Sequence, residues 1–154
     1  MQKYDKMVKE EVVRRHLKDL ERSIVELEKL QGRTEDDLRK DIAFCWSVEH
    51  GLQIAIQNVI DIGAHILSSD LQNDWNDYTE VIDKMGQHKM VPEAFAQKIR
   101  GFASIRNVIV HRYLDVNLRI IHDVLENHLD NFRQFTTYIE EYLEQANPSA
   151  APAE

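Results

Sequence analysis

Cys45 is the only cysteine among 154 residues, so an internal disulfide is excluded and a reducing compartment fits the chain. Glycine (5) and proline (3) are scarce, and long stretches therefore run without a backbone breaker. No apolar run reaches the roughly 18 residues that a membrane span needs. The opening residues, Met-Gln-Lys-Tyr-Asp-Lys, lack the apolar centre of a secretory signal. A soluble, cytoplasmic protein with no membrane partner is the expectation. Cations are in the minority, 19 against 27 acidic residues, and the net charge of −8 argues against a general polyanion binder.

What remains is a chain that is 30% charged and 43% apolar, which is the composition of an all-α protein. Val13, Leu17, Leu20, Ile24 and Leu27 recur at helical spacing and predict a first helix over residues 5–31, ended by Gly32. Thr34 with Asp37 three residues on reads as the cap of a second helix, expected to run unbroken to about Leu67. Its main stripe is Leu38, Ile42, Cys45, Leu52, Ile56, Val59 and Ile60. Phe44, Trp46, Val48, Ile54 and Ile62 widen that stripe to most of the circumference, so the helix should be central. Gly51 and Gly63 would let a neighbour approach closely.

Ser68 to Asp77 reads as a loop, and a short helix, Tyr78 to Met85, is closed by Gly86. Pro92 opens a helix carried through Phe95, Ile99, Phe102, Ile105, Ile109 and Val110. A last helix, Asp115 to Glu144, buries Leu118, Ile121, Leu125, Leu129, Phe132, Phe135, Ile139 and Leu143. The predicted fold is an all-α, up-down four-helix bundle with one short extra helix. It is expected as a single domain over residues 1–145, followed by a disordered tail at 146–154.

Charge is unevenly spread. Lys98 to Arg119 holds five cations (Lys98, Arg100, Arg106, Arg112, Arg119) and one anion, Asp115, so this segment is +4 and the remainder of the −8 chain is −12. An acidic body with one basic segment fits a local phosphate contact better than a long nucleic-acid track, although a solvated or internally paired basic face has the same composition. Within the segment, Arg106, His111 and Tyr113 stand at Arg-x4-His-x-Tyr spacing. With 10 arginines, 7 histidines and 5 tyrosines, the first pair arises by chance about 0.45 times, and the three-residue form about 0.015 times.

Residues five apart on a regular helix point about 140° away from each other, so Arg106 and His111 do not share a face. Ser104, Asn107 and His111 do. The polar groups converge if the helix ends or bends near His111, or if a second subunit completes the site. Histidine exchanges protons near neutral pH and arginine binds a phosphoryl group bidentately. Together they suffice for RNA cleavage without a metal or cofactor, since the ribose 2′-OH is the internal nucleophile. The same residues are also compatible with His111 capping a helix end and Arg106 pairing with a carboxylate.

Arg106-Asn107-Val108-Ile109-Val110-His111-Arg112-Tyr113 resembles the motif of HEPN-domain ribonucleases, most nearly the HepT toxins of HEPN/MNT toxin–antitoxin pairs. Asp41 to Leu67 is similar to that family's long central helix and Tyr78 to Gly86 to its short helix. The similarity covers roughly residues 10–145. The resemblance implies a HEPN-like bundle, a homodimer with a composite cleft, and metal-independent endoribonuclease activity. It implies Arg106 and His111 as the catalytic pair, with Asn107 the polar residue that commonly follows the arginine; Ser104, Asn107 and Arg112 are read as site-supporting or substrate-binding residues. It implies Tyr113 as the residue to which an MNT-type nucleotidyltransferase antitoxin attaches AMP. A non-catalytic helical module that docks such a partner is the alternative.

Other candidates are weaker. Asp61 and His65 stand at i, i+4 on the central helix, but no third metal ligand is placed by sequence, and no metal site is assigned. Glu49 falls on the apolar stripe and is read at the bundle's edge rather than as a buried acid paired to a motif cation. His50 and Asn58 carry the same ambiguity. Cys45 is read as core, and Trp46 and Trp75 as packing residues rather than base-stacking ones.

Overall fold

A computed structural model describes residues 2–70, 75–110 and 117–146. Among them are eight α-helices: α1 Gln2–Lys29, α2 Glu35–Lys40, α3 Ile42–Asp70, α4 Tyr78–Gln87, α5 Glu93–Ile99, α6 Phe102–Val110, α7 Leu118–Asn127 and α8 Leu129–Ala146. The all-α class and bundle arrangement agree with the sequence reading. Three of the expected long helices are each interrupted once. Of the tail expected at 146–154, Ala146 is the last residue of α8, and 147–154 lie outside the described residues, as does the predicted helix start at Asp115.

The first interruption is at Asp41, whose backbone leaves the helical region (φ −106°, ψ 96°). Thr34 caps α2 as predicted: its side chain accepts from Asp37 N, and Asp37 Oδ2 accepts from Thr34 N at 2.9 Å. Asp41 N still donates to Asp37 O at 2.9 Å, while Asp41 Oδ1 accepts from Phe44 N at 3.1 Å. One residue thus ends α2 and caps α3. The break shifts the rotational register, and Ile42, assigned to the buried stripe, is 59% exposed. Trp46, one turn on, is exposed for the same reason and does not serve as core packing, whereas Trp75 is half-buried against the core.

The second interruption, at Arg100 and Gly101, separates α5 from α6. Arg100 N donates to Gln97 O at 3.4 Å in a tightened turn, and Ile105 N to Gly101 O at 3.0 Å starts the new ladder. The third is at His128 (φ −125°, ψ 9°), between α7 and α8. Gly86 does not close the short helix. It lies inside α4 and is buried, and a methyl group there would fall 2.8 Å from Ala96 Cβ. The chain turns three residues later, with Lys89 at φ 58°.

Helix α3 is the hub, touching α1, α2, α4, α6, α7 and α8. It runs antiparallel to α1, since Gly51 faces Leu27 while Asn58 faces His16. The close approaches expected at Gly51 and Gly63 are present: added methyls would sit 2.7 Å from Leu27 Cδ2 and 2.5 Å from Met85 Sδ. The predicted seam of α1 is fully buried. Phe102 of α6 stacks on Phe132 of α8, ring centroids 4.6 Å apart, and fixes α6 against the core. Truncating such a buried ring to alanine costs about 3–5 kcal/mol. Among the described residues no helix is long and apolar enough to cross a membrane.

Candidate functional site

The break at Gly101 decides where α6 points. Phe102, Ala103 and Ile109 face the core, and this leaves Arg106 half-buried at the junction of α3, α4 and α6. Arg106 Nε donates to Gln57 Oε1 of α3 at 3.0 Å, and its guanidinium carbon lies 4.7 Å from the centre of the Tyr78 ring, at the start of α4. A cation over an aromatic face is attracted by the ring quadrupole. Arg106 Nη1 also reaches Asn107 Oδ1 at 3.5 Å, a weak contact between neighbours. Gln57 is itself held, its Nε2 donating to Asp61 Oδ1 at 2.8 Å.

Of the sequence-predicted residues, the structure brings Arg106 and Asn107 together and leaves Ser104 exposed on α6, one turn before Asn107. His111, Arg112 and Tyr113 lie outside the described residues. Among the described residues Arg106 is held by the neutral amide of Gln57, and no carboxylate is paired with it. Gln57 and Tyr78 were not singled out by the sequence. The sequence signal for Gln57 is its i, i+4 spacing to Asp61, the same spacing that relates Asp61 to His65. Among the described residues no group of three or more His, Cys, Asp or Glu side chains is placed to hold a metal ion.

Glu49 is not at the edge. It is 5% exposed and accepts from Cys45 Sγ at 2.9 Å inside the bundle. Cys45 is core, as expected. His50 is exposed, while Asn58 is buried and bridges α1 to α3: His16 Nδ1 lies 2.8 Å from Asn58 Oδ1, and Asn58 Nδ2 donates to Asp19 Oδ2 at 2.9 Å and to Ile54 O at 3.0 Å. The charge of the basic segment is partly spent at Arg100, whose Nε donates to Asp83 Oδ1 at 2.9 Å. That bond and the carboxylate's charge hold the Arg100 guanidinium pKa above its ordinary value.

The described residues form an all-helical bundle with Arg106 anchored where its central helix meets two short ones. The Ribonuclease HepT-like family model matches residues 20–139, and the chain belongs to that family. It is 26% identical over 101 residues to the mRNA nuclease HepT of Shewanella oneidensis, covering 66% of this chain and 76% of that protein. It is 24% identical over 132 residues to the tRNA nuclease HepT of Aphanizomenon flos-aquae, covering 86% and 90%. Among solved structures, a toxin–antitoxin complex with AMP-PNP superposes with a TM-score of 0.77 at 21% identity, over 85% of this chain and 98% of the other. A tri-AMPylated Shewanella oneidensis HEPN toxin in complex with its MNT antitoxin gives a TM-score of 0.76 at 22% identity, over 84% and 97%. These structural likenesses establish the HEPN-like helical fold.

Proposed function

We propose that the chain is the ribonuclease toxin of a HEPN/MNT toxin–antitoxin pair, acting as a homodimer on RNA without a metal. The observation that carries this reading is Arg106. It lies in the Arg-x4-His-x-Tyr motif, inside the region matched by the family model, and its guanidinium is anchored through Nε. That bond leaves the two terminal amino groups as donors for a phosphate. The partner anchoring it is uncharged, so no carboxylate contact on Nε cancels the positive charge that an anion would meet.

In this reading the imidazole of His111 takes the proton from a ribose 2′-OH, and the 2′ oxygen attacks the adjacent phosphorus. Arg106 stabilises the extra negative charge on the pentacovalent phosphorane. The bond to the 5′ oxygen then breaks, and that oxygen receives a proton from an imidazolium. The products are a 2′,3′-cyclic phosphate and a 5′-hydroxyl. Two related copies of the motif across a two-fold axis supply a base and an acid at once. Val108, Val110 and Ile120 are exposed on the helices flanking residues 111–116, apolar surface that a second copy would cover. Ser104, Asn107 and Arg112 would contact the RNA backbone around this pair.

Tyr113 is the proposed switch. An MNT-type nucleotidyltransferase would transfer AMP from ATP to the tyrosine hydroxyl, with pyrophosphate leaving. The adduct puts an anion and a nucleoside beside Arg106 and blocks RNA by charge and volume. RNA incubated with the purified protein in EDTA tests the reading: cleavage by the wild type and none by His111→Ala is expected, and equal cleavage by both defeats it. Loss of partner binding in His111→Ala, with no cleavage by the wild type, is the outcome that favours a non-catalytic docking module.

A further inference from the structure

We infer that Gln57, locked in orientation by Asp61, is a positioning residue that sets the guanidinium plane of Arg106 for phosphate binding. The inference deepens the proposed ribonuclease reading and rests on it.

The three side chains form a directional relay across two helices. Gln57 and Asp61 are one turn apart on the rigid central helix, which is packed on several sides. Arginine can only donate hydrogen bonds and an ionised aspartate can only accept them. A glutamine between them has one arrangement that satisfies both ends. Its NH2 faces Asp61 at 2.8 Å and its oxygen faces Arg106 Nε at 3.0 Å. The amide is thereby protected from the flip that would turn an NH2 against the guanidinium. Because Nε–H lies in the guanidinium plane, fixing it fixes the plane's direction. The Tyr78 ring at 4.7 Å restrains the remaining freedom, rotation about that bond.

A carboxylate at position 57 would hold Arg106 as firmly but would lower its attraction for phosphate. An aspartate one turn further on orients the amide while keeping its charge one side chain away from the guanidinium. Hence the arrangement separates anchoring from charge neutralisation, which a direct Arg–carboxylate pair cannot do.

The test uses the full chain in three forms. In wild-type protein labelled with nitrogen-15, the Arg106 Nε–H resonance should exchange slowly with water. In Gln57→Leu it should shift and exchange faster, and kcat for RNA should fall about 10- to 100-fold with a smaller change in KM, the scale expected for a misplaced catalytic group. Gln57→Glu keeps the acceptor, so it should restore the slow Nε–H exchange and recover part of kcat. Asp61→Asn should give an intermediate loss, and it serves if Gln57→Leu fails to fold. An unchanged Nε–H resonance in the folded Gln57→Leu and Asp61→Asn variants overturns the relay, as does a kcat within about twofold of wild type in both. If wild-type protein cleaves no RNA, the ribonuclease reading fails on its own and the resonance alone decides the relay.

Discussion

Arg100 and Asp83 form an ion pair, Nε to Oδ1 at 2.9 Å, that ties the break between α5 and α6 to α4. Six residues further on, Arg106 is held through the same atom by a neutral amide. Two arginines of one basic segment therefore differ in kind. The first has its charge matched by a carboxylate at the surface, and the second has, among the described residues, only uncharged partners.

This contrast predicts unequal effects on catalysis. Arg106→Ala should lower cleavage by about 100- to 1,000-fold, the usual loss when a donor to a developing anion is removed. Arg100→Ala should stay within about threefold, since an exposed ion pair contributes little. Initial rates on one RNA oligonucleotide, with circular dichroism to confirm folding, distinguish the two.

Modification gives a second prediction. Tyr113→Phe retains Arg106 and His111 but lacks the hydroxyl that would accept AMP. Intact-mass measurement after incubation with ATP and the cognate nucleotidyltransferase should show AMP on the wild-type chain and none on the variant. AMP mass on the Phe variant contradicts the assignment.

The helix-packing glycines can be ranked. At Gly63 the obstructing atom is the end of the Met85 side chain, whereas at Gly86 it is Ala96 Cβ, which is rigidly attached to its backbone. Gly86→Ala should accordingly cost more than Gly63→Ala, about 1–3 kcal/mol after allowing for the better helix propensity of alanine. Urea denaturation of both variants checks the order.

Acid should loosen the α1–α3 connection. Hydrogen bonds from the backbone and hydroxyl of Thr34 lower the Asp37 pKa below its ordinary value of 3.8. The Phe44 backbone N–H, then Arg33, do the same for Asp41. Both carboxylates ionise more readily folded than unfolded. Their stabilisation is complete above the ordinary value and is lost as pH falls through the lower folded ones. Urea midpoints measured from about pH 6 to pH 3 should therefore decline more steeply for wild type than for an Asp37→Asn, Asp41→Asn double variant.

These residues also show what local sequence can reveal. The Thr34–Asp37 capping box was legible because its donors and acceptors are three residues apart. The break at Asp41 was not, because Leu38, Ile42 and Cys45 keep helical spacing straight across it, and aspartate is not a strong helix breaker. His128 was hidden the same way by Leu125, Leu129 and Phe132. Around the site, a helix through Arg106 could be read, while its anchoring could not. Gln57 lies 49 residues upstream and meets Arg106 because α6 packs against α3. Glu49 was misplaced because an acid on an apolar stripe looks like an edge residue until its buried surroundings are seen.

In the proposed mechanism Arg106 and His111 cleave RNA through the ribose 2′-OH with no metal. End-group analysis of RNA cut in excess EDTA tests it most directly, with wild type, Arg106→Ala and His111→Ala compared side by side. Wild type alone should give 2′,3′-cyclic phosphate and 5′-hydroxyl ends. Free 3′-hydroxyl ends, or the same cleavage by all three proteins, would contradict it.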